Sequence, residues 1–285
     1  MNTIQTQAYA KLNLTLDITG RRADGYHELD MVMVSCTLHD TITLHLDTRQ
    51  PWQLCCQNAA LPSGPDNLAW RAAAAFFSAT AAPCTGLTIC LEKQIPSGAG
   101  LGGGSSDAAA VLHALNRAYG GPLRLQELCE IGLKLGADVP YCLVAGAQRA
   151  QGIGERLTPL PPLPDCWIVL CKPRVCFSTP ALFQAVDALR CLPHPDAGAM
   201  AHALAAKDLG QIGLLLGNSF LPAALERAPE LSGLLAQIRA CGCLGATMTG
   251  SGSCIYGLFD SRQKAARCCD QLSGSGSQIF LARPK

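Results

Sequence analysis

Pro96-Ser97-Gly98-Ala99-Gly100-Leu101-Gly102-Gly103-Gly104-Ser105-Ser106-Asp107 is the stretch on which the reading of the fold turns. Before it, Leu87, Ile89 and Leu91 keep the period of two of a strand. After it, Val111, Leu112, Leu115 and Tyr119 keep helical spacing until Gly120-Gly121-Pro122 stops the pattern. A strand, five glycines and a helix start in that order describe an anion site. Glycine lets the backbone approach a ligand and take positive φ, and the free N–H groups lie at the positive end of the helix dipole. Phosphate is the obvious guest.

Two common phosphate loops do not fit. The GxxxxGK[ST] loop needs a lysine after its glycines, and none follows here. A dinucleotide loop follows the first strand and is answered by an acidic residue about 20 positions on. This one begins near residue 97. A flexible Gly/Ser linker is the bland reading. The run is short, is bracketed by regular structure and abuts a helix start, which favours phosphate.

Composition narrows the classes. Of 285 residues, 49% are hydrophobic and 15% charged, enough for a large buried core and against disorder. Net charge is +1 with no Lys/Arg run, which argues against nucleic acid as a partner. Sixteen cysteines form no CxxC, and the six histidines form no HExxH. Most of the thiols are expected to serve as small buried apolar groups. No apolar run approaches the length of a membrane span, and the first residues lack the pattern of a signal peptide. A cytoplasmic protein is expected, monomeric or homodimeric.

Leu12, Leu14, Leu16 and Ile18 alternate with Lys11, Asn13, Thr15 and Asp17, a strand with an apolar and a polar face. Ile42, Leu44 and Leu46 read as another strand. Asp66 to Phe77 is expected to be helical with Asp66 or Asn67 as cap, and Leu125, Leu128, Ile131 and Leu135 mark a further helix. Pro159 to Pro164 is the candidate boundary, dividing the chain into 1–158 and 159–285. Beyond it, Cys166 to Cys171 is a buried strand, Ser178-Thr179-Pro180 starts a helix with a hydroxyl cap, and helix formers run to about Arg239. Strands and helices mix without a βαβ repeat, so the class is α+β.

Four blocks carry a family resemblance. Pro96 to Asp107 resembles the glycine signature of the GHMP kinase superfamily, which includes galactokinase, homoserine kinase and mevalonate kinase. Ala10-Lys11-Leu12-Asn13-Leu14 running through Gly20 to His27, and Gly136-Ala137-Asp138-Val139-Pro140, resemble the blocks of one branch. The acceptor alcohol of that branch carries cytidine diphosphate. Met248-Thr249-Gly250-Ser251-Gly252-Ser253 is similar to the superfamily's C-terminal glycine motif.

The resemblance implies a two-lobed α+β fold. Its N-terminal, ATP-binding lobe is similar to a ribosomal-protein domain, its C-terminal lobe is ferredoxin-like, and the active site lies in the cleft between them. It implies ATP and Mg2+ as cofactors and phosphoryl transfer to an alcohol, with Asp138 as base and Lys11 as the cation beside it. Pro96 to Ser106 would hold the phosphates, with Ser105 or Ser106 offering a hydroxyl, and Asn67 and Leu68 would lie near the adenine. Tyr26 and Phe183 would stack on cytosine and His27 would bond its edge, with Asn13, Ile153 and Thr179 also at the acceptor. Asp107 is assigned no catalytic charge. The rival reading is another GHMP kinase, acting on homoserine, mevalonate or a sugar.

Overall fold

In the computed structural model the described residues are 2–47, 50–57 and 61–285. The chain forms two compact units that exchange segments. One comprises the chain up to Ala10, His39–Ile95 and Gly102–Ala145; the other comprises Lys11–Leu38, Pro96–Leu101 and Gly146–Lys285. Two twenty-residue strands, β1 (Asn2–Arg21) and β2 (His27–Leu46), contribute to both.

The first unit adds β3 (Gln53–Cys56), α1 (Leu68–Thr80), β4 (Leu87–Glu92), α2 (Gly103–Ala118), α3 (Leu125–Leu135) and α4 (Val139–Val144). The later half of β2 pairs antiparallel with β4, from Thr41↔Glu92 to Leu46↔Leu87, and β3 lies parallel on the outer side of β4. Ile42, Leu44, Leu46, Leu87, Ile89 and Leu91 form one side of the core; Ala69, Ala72 and Phe76 of α1 and Val111, Leu112 and Leu115 of α2 form the other. Each fully buried Leu or Ile is worth about 1.5–3 kcal/mol. Of the two cap candidates, Asn67 caps α1, its side chain accepting from Ala69 N.

The second unit continues with β5 (Gln148–Gly152), β6 (Arg156–Pro159), β7 (Trp167–Lys172), α5 (Thr179–Asp187), α6 (Ala197–Ala206), α7 (Leu209–Leu215) and β8 (Gly217–Asn218). It ends with α8 (Leu221–Arg227), α9 (Glu230–Ala240), β9 (Gly245–Met248), β10 (Ile255–Phe259), α10 (Arg262–Leu272) and β11 (Gln278–Ala282). The early half of β2 pairs antiparallel with β5, and β5 with β6. A separate antiparallel sheet has the order β11-β7-β10-β9, with α9 and α10 packed on it. Mixed sheets with helices and no βαβ repeat make the class α+β, as the sequence leads one to expect.

At four points the local structure goes beyond or against the sequence reading. The polar side of β1 is not solvated: Lys11 is 4% and Asn13 0% exposed, and Thr15 and Asp17 are buried too. β1 lies between β2 and β8 in its sheet, pairing with β8 at Thr15↔Gly217 and Leu16↔Asn218, and the C-terminal glycine motif covers its polar face, so alternation there separates two buried faces. Helix α2 starts inside the glycine run, with Gly102 as N-cap at φ +69°. Ser178 takes the cap position of α5 without a capping hydrogen bond. All sixteen cysteines are free, but only six are fully buried, so the expected apolar role fits a minority completely.

Among the described residues no helix is long and apolar enough to cross a membrane.

Candidate active site

Three of the four sequence blocks meet in the second unit. Lys11 and Asn13, two apart on β1, point the same way, and Lys11 Nζ donates to Asn13 Oδ1 at 2.8 Å. That oxygen also accepts Gly250 N at 3.0 Å, while Asn13 N donates to Thr249 Oγ1 at 3.1 Å. A Cβ on Gly250 would lie 3.1 Å from Lys11 Nζ, so the absence of a side chain there leaves room for the ammonium. The first part of the glycine run closes the corner. Lys11 N donates to Leu101 O at 3.0 Å and Cys254 N to Ala99 O at 3.1 Å. Gly100, at φ +72°, packs so tightly that a Cβ would overlap the Thr249 carbonyl oxygen. Only glycine meets both demands at once.

The rest of the glycine run belongs to the first unit and opens α2. Ser106 Oγ donates to Tyr9 O at 2.7 Å and is buried, which commits that hydroxyl to the scaffold. Ser105 is half-buried, and its Oγ lies 3.8 Å from where a Gly136 Cβ would stand. The start of α2 and the Gly136-Ala137-Asp138 turn are therefore neighbours. Asp138 is the half-buried N-cap of α4, but its side chain makes no capping bond. Leu68 lies against Gly104, with its Cδ1 3.3 Å from a Cβ built there. Asn67 Nδ2 donates to Pro62 O at 2.9 Å, so both ends of its amide serve α1 and the turn before it.

The acceptor-side candidates divide. His27 stacks on Phe183, ring centroids 4.4 Å apart and planes 13° from parallel, and Phe183 meets Phe220 edge-on. His27 Nε2 lies 2.7 Å from Asp187 Oδ1. Tyr26 follows an Asx turn, with its N donating to Asp24 Oδ1 at 3.1 Å and Gly25 at φ +88°, and its ring is 61% exposed. Thr179 Oγ1 and Ser251 Oγ, 2.7 Å apart, link the start of α5 to the C-terminal glycine motif. Ile153 N donates to Glu155 Oε2 at 2.7 Å in the loop after β5.

Residues 67–146 match the family described as GHMP kinases N terminal domain, and residues 200–278 match GHMP kinases C terminal. The 4-diphosphocytidyl-2-C-methyl-D-erythritol kinase of Lachnoclostridium phytofermentans is 38% identical over 285 residues, covering 99% of this chain and 98% of that protein. The enzyme of that name from Symbiobacterium thermophilum is 41% identical over 289 residues, covering 98% and 99%. The chain belongs to the GHMP kinases, in their 4-diphosphocytidyl-2-C-methyl-D-erythritol kinase branch. It is an ATP-dependent kinase. A crystal structure of a 4-(cytidine 5'-diphospho)-2C-methyl-D-erythritol kinase superposes with a TM-score of 0.84 at 36% identity, covering 99% of both chains. Homoserine kinase from Cytophaga hutchinsonii shares the fold, with a TM-score of 0.78 at 19% identity, covering 99% of this chain and 95% of that one.

This kinase also contains site features that motif reading missed. In the first unit Lys93 Nζ bridges Asp40 Oδ2 and Asp107 Oδ2, beneath the start of α2. A Cβ on Gly103 would lie 3.6 Å from that ammonium. Asp40 Oδ1 also accepts Gln94 N and Ile95 N, which pins the approach to the glycine run. Burial pushes the Asp107 carboxyl up to about 7 against the pull of Lys93. In the second unit Asn218 Nδ2 donates to Met248 O at 2.7 Å and Gly250 O at 2.9 Å, which shapes the turn beside Lys11. No local pattern marks Asp40 or Asn218, because their partners are tens of residues away. Asp187, the partner of His27, is equally silent in sequence.

Proposed function

We propose that the chain transfers the γ-phosphoryl group of ATP to the 2-hydroxyl of 4-diphosphocytidyl-2-C-methyl-D-erythritol, in the cytoplasm, within the non-mevalonate route to isoprenoid precursors. The observation that carries the reading is the Lys11 corner, where a buried ammonium is aimed by Asn13 and flanked by two glycine motifs. Phosphoryl transfer asks a protein for positioning and charge neutralisation more than for covalent chemistry. Asp138 takes the hydroxyl proton as phosphorylation proceeds, and Lys11 stabilises the forming alkoxide and the γ-phosphate. The backbone N–H groups at the start of α2 hold the phosphates.

Asn13 is better read as the residue that aims Lys11 than as a direct acceptor contact, since its amide oxygen is already engaged. Magnesium, when bound, neutralises phosphate charge. It needs only one or two protein oxygens besides phosphate and water. Ser105 and Asp138 suit it, because Ser105 Oγ borders the Gly136 turn while the Ser106 hydroxyl is occupied.

Asp187 supports an acceptor role for His27 in its neutral form. With the carboxylate accepting from Nε2–H, Nδ1 is left as an acceptor, complementary to the N4 amine of cytosine. Uracil presents a carbonyl oxygen there and is mismatched. The exposed Tyr26 ring supplies a stacking face.

The test is ADP release from ATP and magnesium with a panel of alcohols. The cytidine diphosphate substrate should be turned over efficiently. Free methylerythritol phosphate should be very poor, because the remote nucleotide supplies the binding energy that positions the hydroxyl. The uridine analogue should be poor as well, and His27→Ala should narrow the cytidine/uridine gap. Efficient turnover of homoserine or mevalonate, with the cytidine substrate ignored, would sink the assignment within the superfamily.

A further inference from the structure

Strands β3 and β4 set two cysteines opposite each other, neither of which the phosphoryl transfer uses. Their parallel register is Gln53↔Thr88, Leu54↔Ile89, Cys55↔Cys90 and Cys56↔Leu91. Alternation sends Leu54, Ile89 and Leu91 into the core, with Cys56 packed against it, so Cys55 and Cys90 share the opposite face. Cys55 is exposed and Cys90 is half-buried, and the register makes them direct cross-strand neighbours. Adjacent strands run about 4.8 Å apart, inside the Cα separation of roughly 4.4–6.8 Å that a disulfide spans. β3 is the terminal strand in the sheet order, so the pair is approachable from the sheet's edge.

We propose that Cys55 and Cys90 are a surface dithiol that closes to an intramolecular disulfide on reaction with a low-molecular-weight disulfide such as oxidised glutathione. Exposed Cys55 reacts first. Its Sγ, as thiolate, attacks one glutathione sulfur; the S–S bond breaks, a Cys55–glutathione mixed disulfide forms, and one glutathione thiolate leaves and is protonated. Cys90 then loses its proton and attacks Cys55 Sγ, expelling the second glutathione. The two protein thiols lose two electrons, and glutathione disulfide gains them to give two glutathione molecules. Burial, with Cys55 and Glu92 nearby, pushes the Cys90 thiol up, so the second step quickens as pH rises. Cys241 and Cys268 also approach each other, but both are buried and shielded from a bulky oxidant.

The test uses the native, full-length chain incubated with oxidised glutathione, then blocked with an alkylating agent and mapped by peptide mass spectrometry. The expected product is a Cys55–Cys90 linked peptide pair, short by two hydrogens and reversed by dithiothreitol. Cys90→Ser should stop at a stable glutathione adduct on Cys55, and Cys55→Ser should leave Cys90 alkylatable. Cys176 and Cys191, both exposed, serve as internal controls. If those two are modified while Cys55 and Cys90 stay alkylatable in wild type, the dithiol does not exist. A wild-type Cys55 adduct that never resolves to the disulfide would overturn the proposal equally.

Discussion

Lys11 and Lys93 each carry an ammonium group out of solvent, one in each unit, and they are held in different surroundings. Lys93 sits between two carboxylates, Asp40 and Asp107, and its charge is cancelled on the spot. Lys11 donates to the amide oxygen of Asn13, which Gly250 N holds in turn. A buried charge must be compensated by something. For Lys93 the compensation is permanent and built from the chain, which suits a brace beneath the glycine run. Lys11 is instead held by an amide between two glycine motifs, which suits the role proposed for it beside a phosphate or a forming alkoxide.

Substitutions test that contrast most strongly at the chemical end. Lys11→Met preserves length and removes the charge, so kcat should fall about 10²–10³-fold with little change in thermal midpoint. Asp138→Asn should lower kcat on the order of 10²–10⁴-fold with the KM for ATP nearly unchanged. If steady-state kinetics find either variant within a few-fold of wild type, the chemical half of the comparison fails.

Lys93→Met should do the reverse. It leaves two buried carboxylates facing each other, and losing one partner of a buried pair costs about 3–5 kcal/mol. Urea unfolding reads this directly. A Lys93→Met protein as stable as wild type would show that the brace is ornamental.

The third test concerns the proton in the brace. The Asp107 carboxyl is pushed up to about 7 in the folded protein, from 3.8. Between those values the native state holds a proton that the unfolded chain has released, so this group's contribution to stability declines as pH rises from about 4 to 7. Asp107→Asn removes that decline and should gain on wild type by on the order of 1–3 kcal/mol between pH 5 and 8. Parallel unfolding curves for the two proteins across that range would contradict it.

The smallest expected effect asks whether α2 above the brace meets phosphate. Gly103→Val is a poor probe, because a Cβ there already presses on Ile95 Cγ2 at 3.0 Å. Gly104 is exposed and helical, and a Cβ there would meet only Leu68 at 3.3 Å. Gly104→Ala should therefore fold normally and weaken ATP binding roughly tenfold, about 1.4 kcal/mol. Calorimetry with unchanged ATP affinity would leave Lys93 and α2 as scaffold alone.

Much of the fold was legible in the residues themselves, as were the motifs from which the site is proposed. Alternation at Leu12–Ile18 and Leu87–Leu91, the helical spacing after Asp107 and the cap at Asn67 are local facts, set by backbone geometry within a few residues. The glycine run announces an anion site because no other residue type gives the backbone that freedom. Local pattern cannot say what lies opposite a face. The polar side of β1 is buried because the C-terminal glycine motif, more than 230 positions on, lies against it, with Asn13 bonded to Thr249 and Gly250. Asp40 meets Lys93 across 53 residues, and Asn218 shapes the turn beside Lys11 across 32 residues to Gly250. Those contacts follow from the order of strands in the sheets, which no short window of sequence encodes. Periodicity therefore determined which side chains travel together, and tertiary packing alone decided that Lys93 lies between two carboxylates and Lys11 between two glycine motifs.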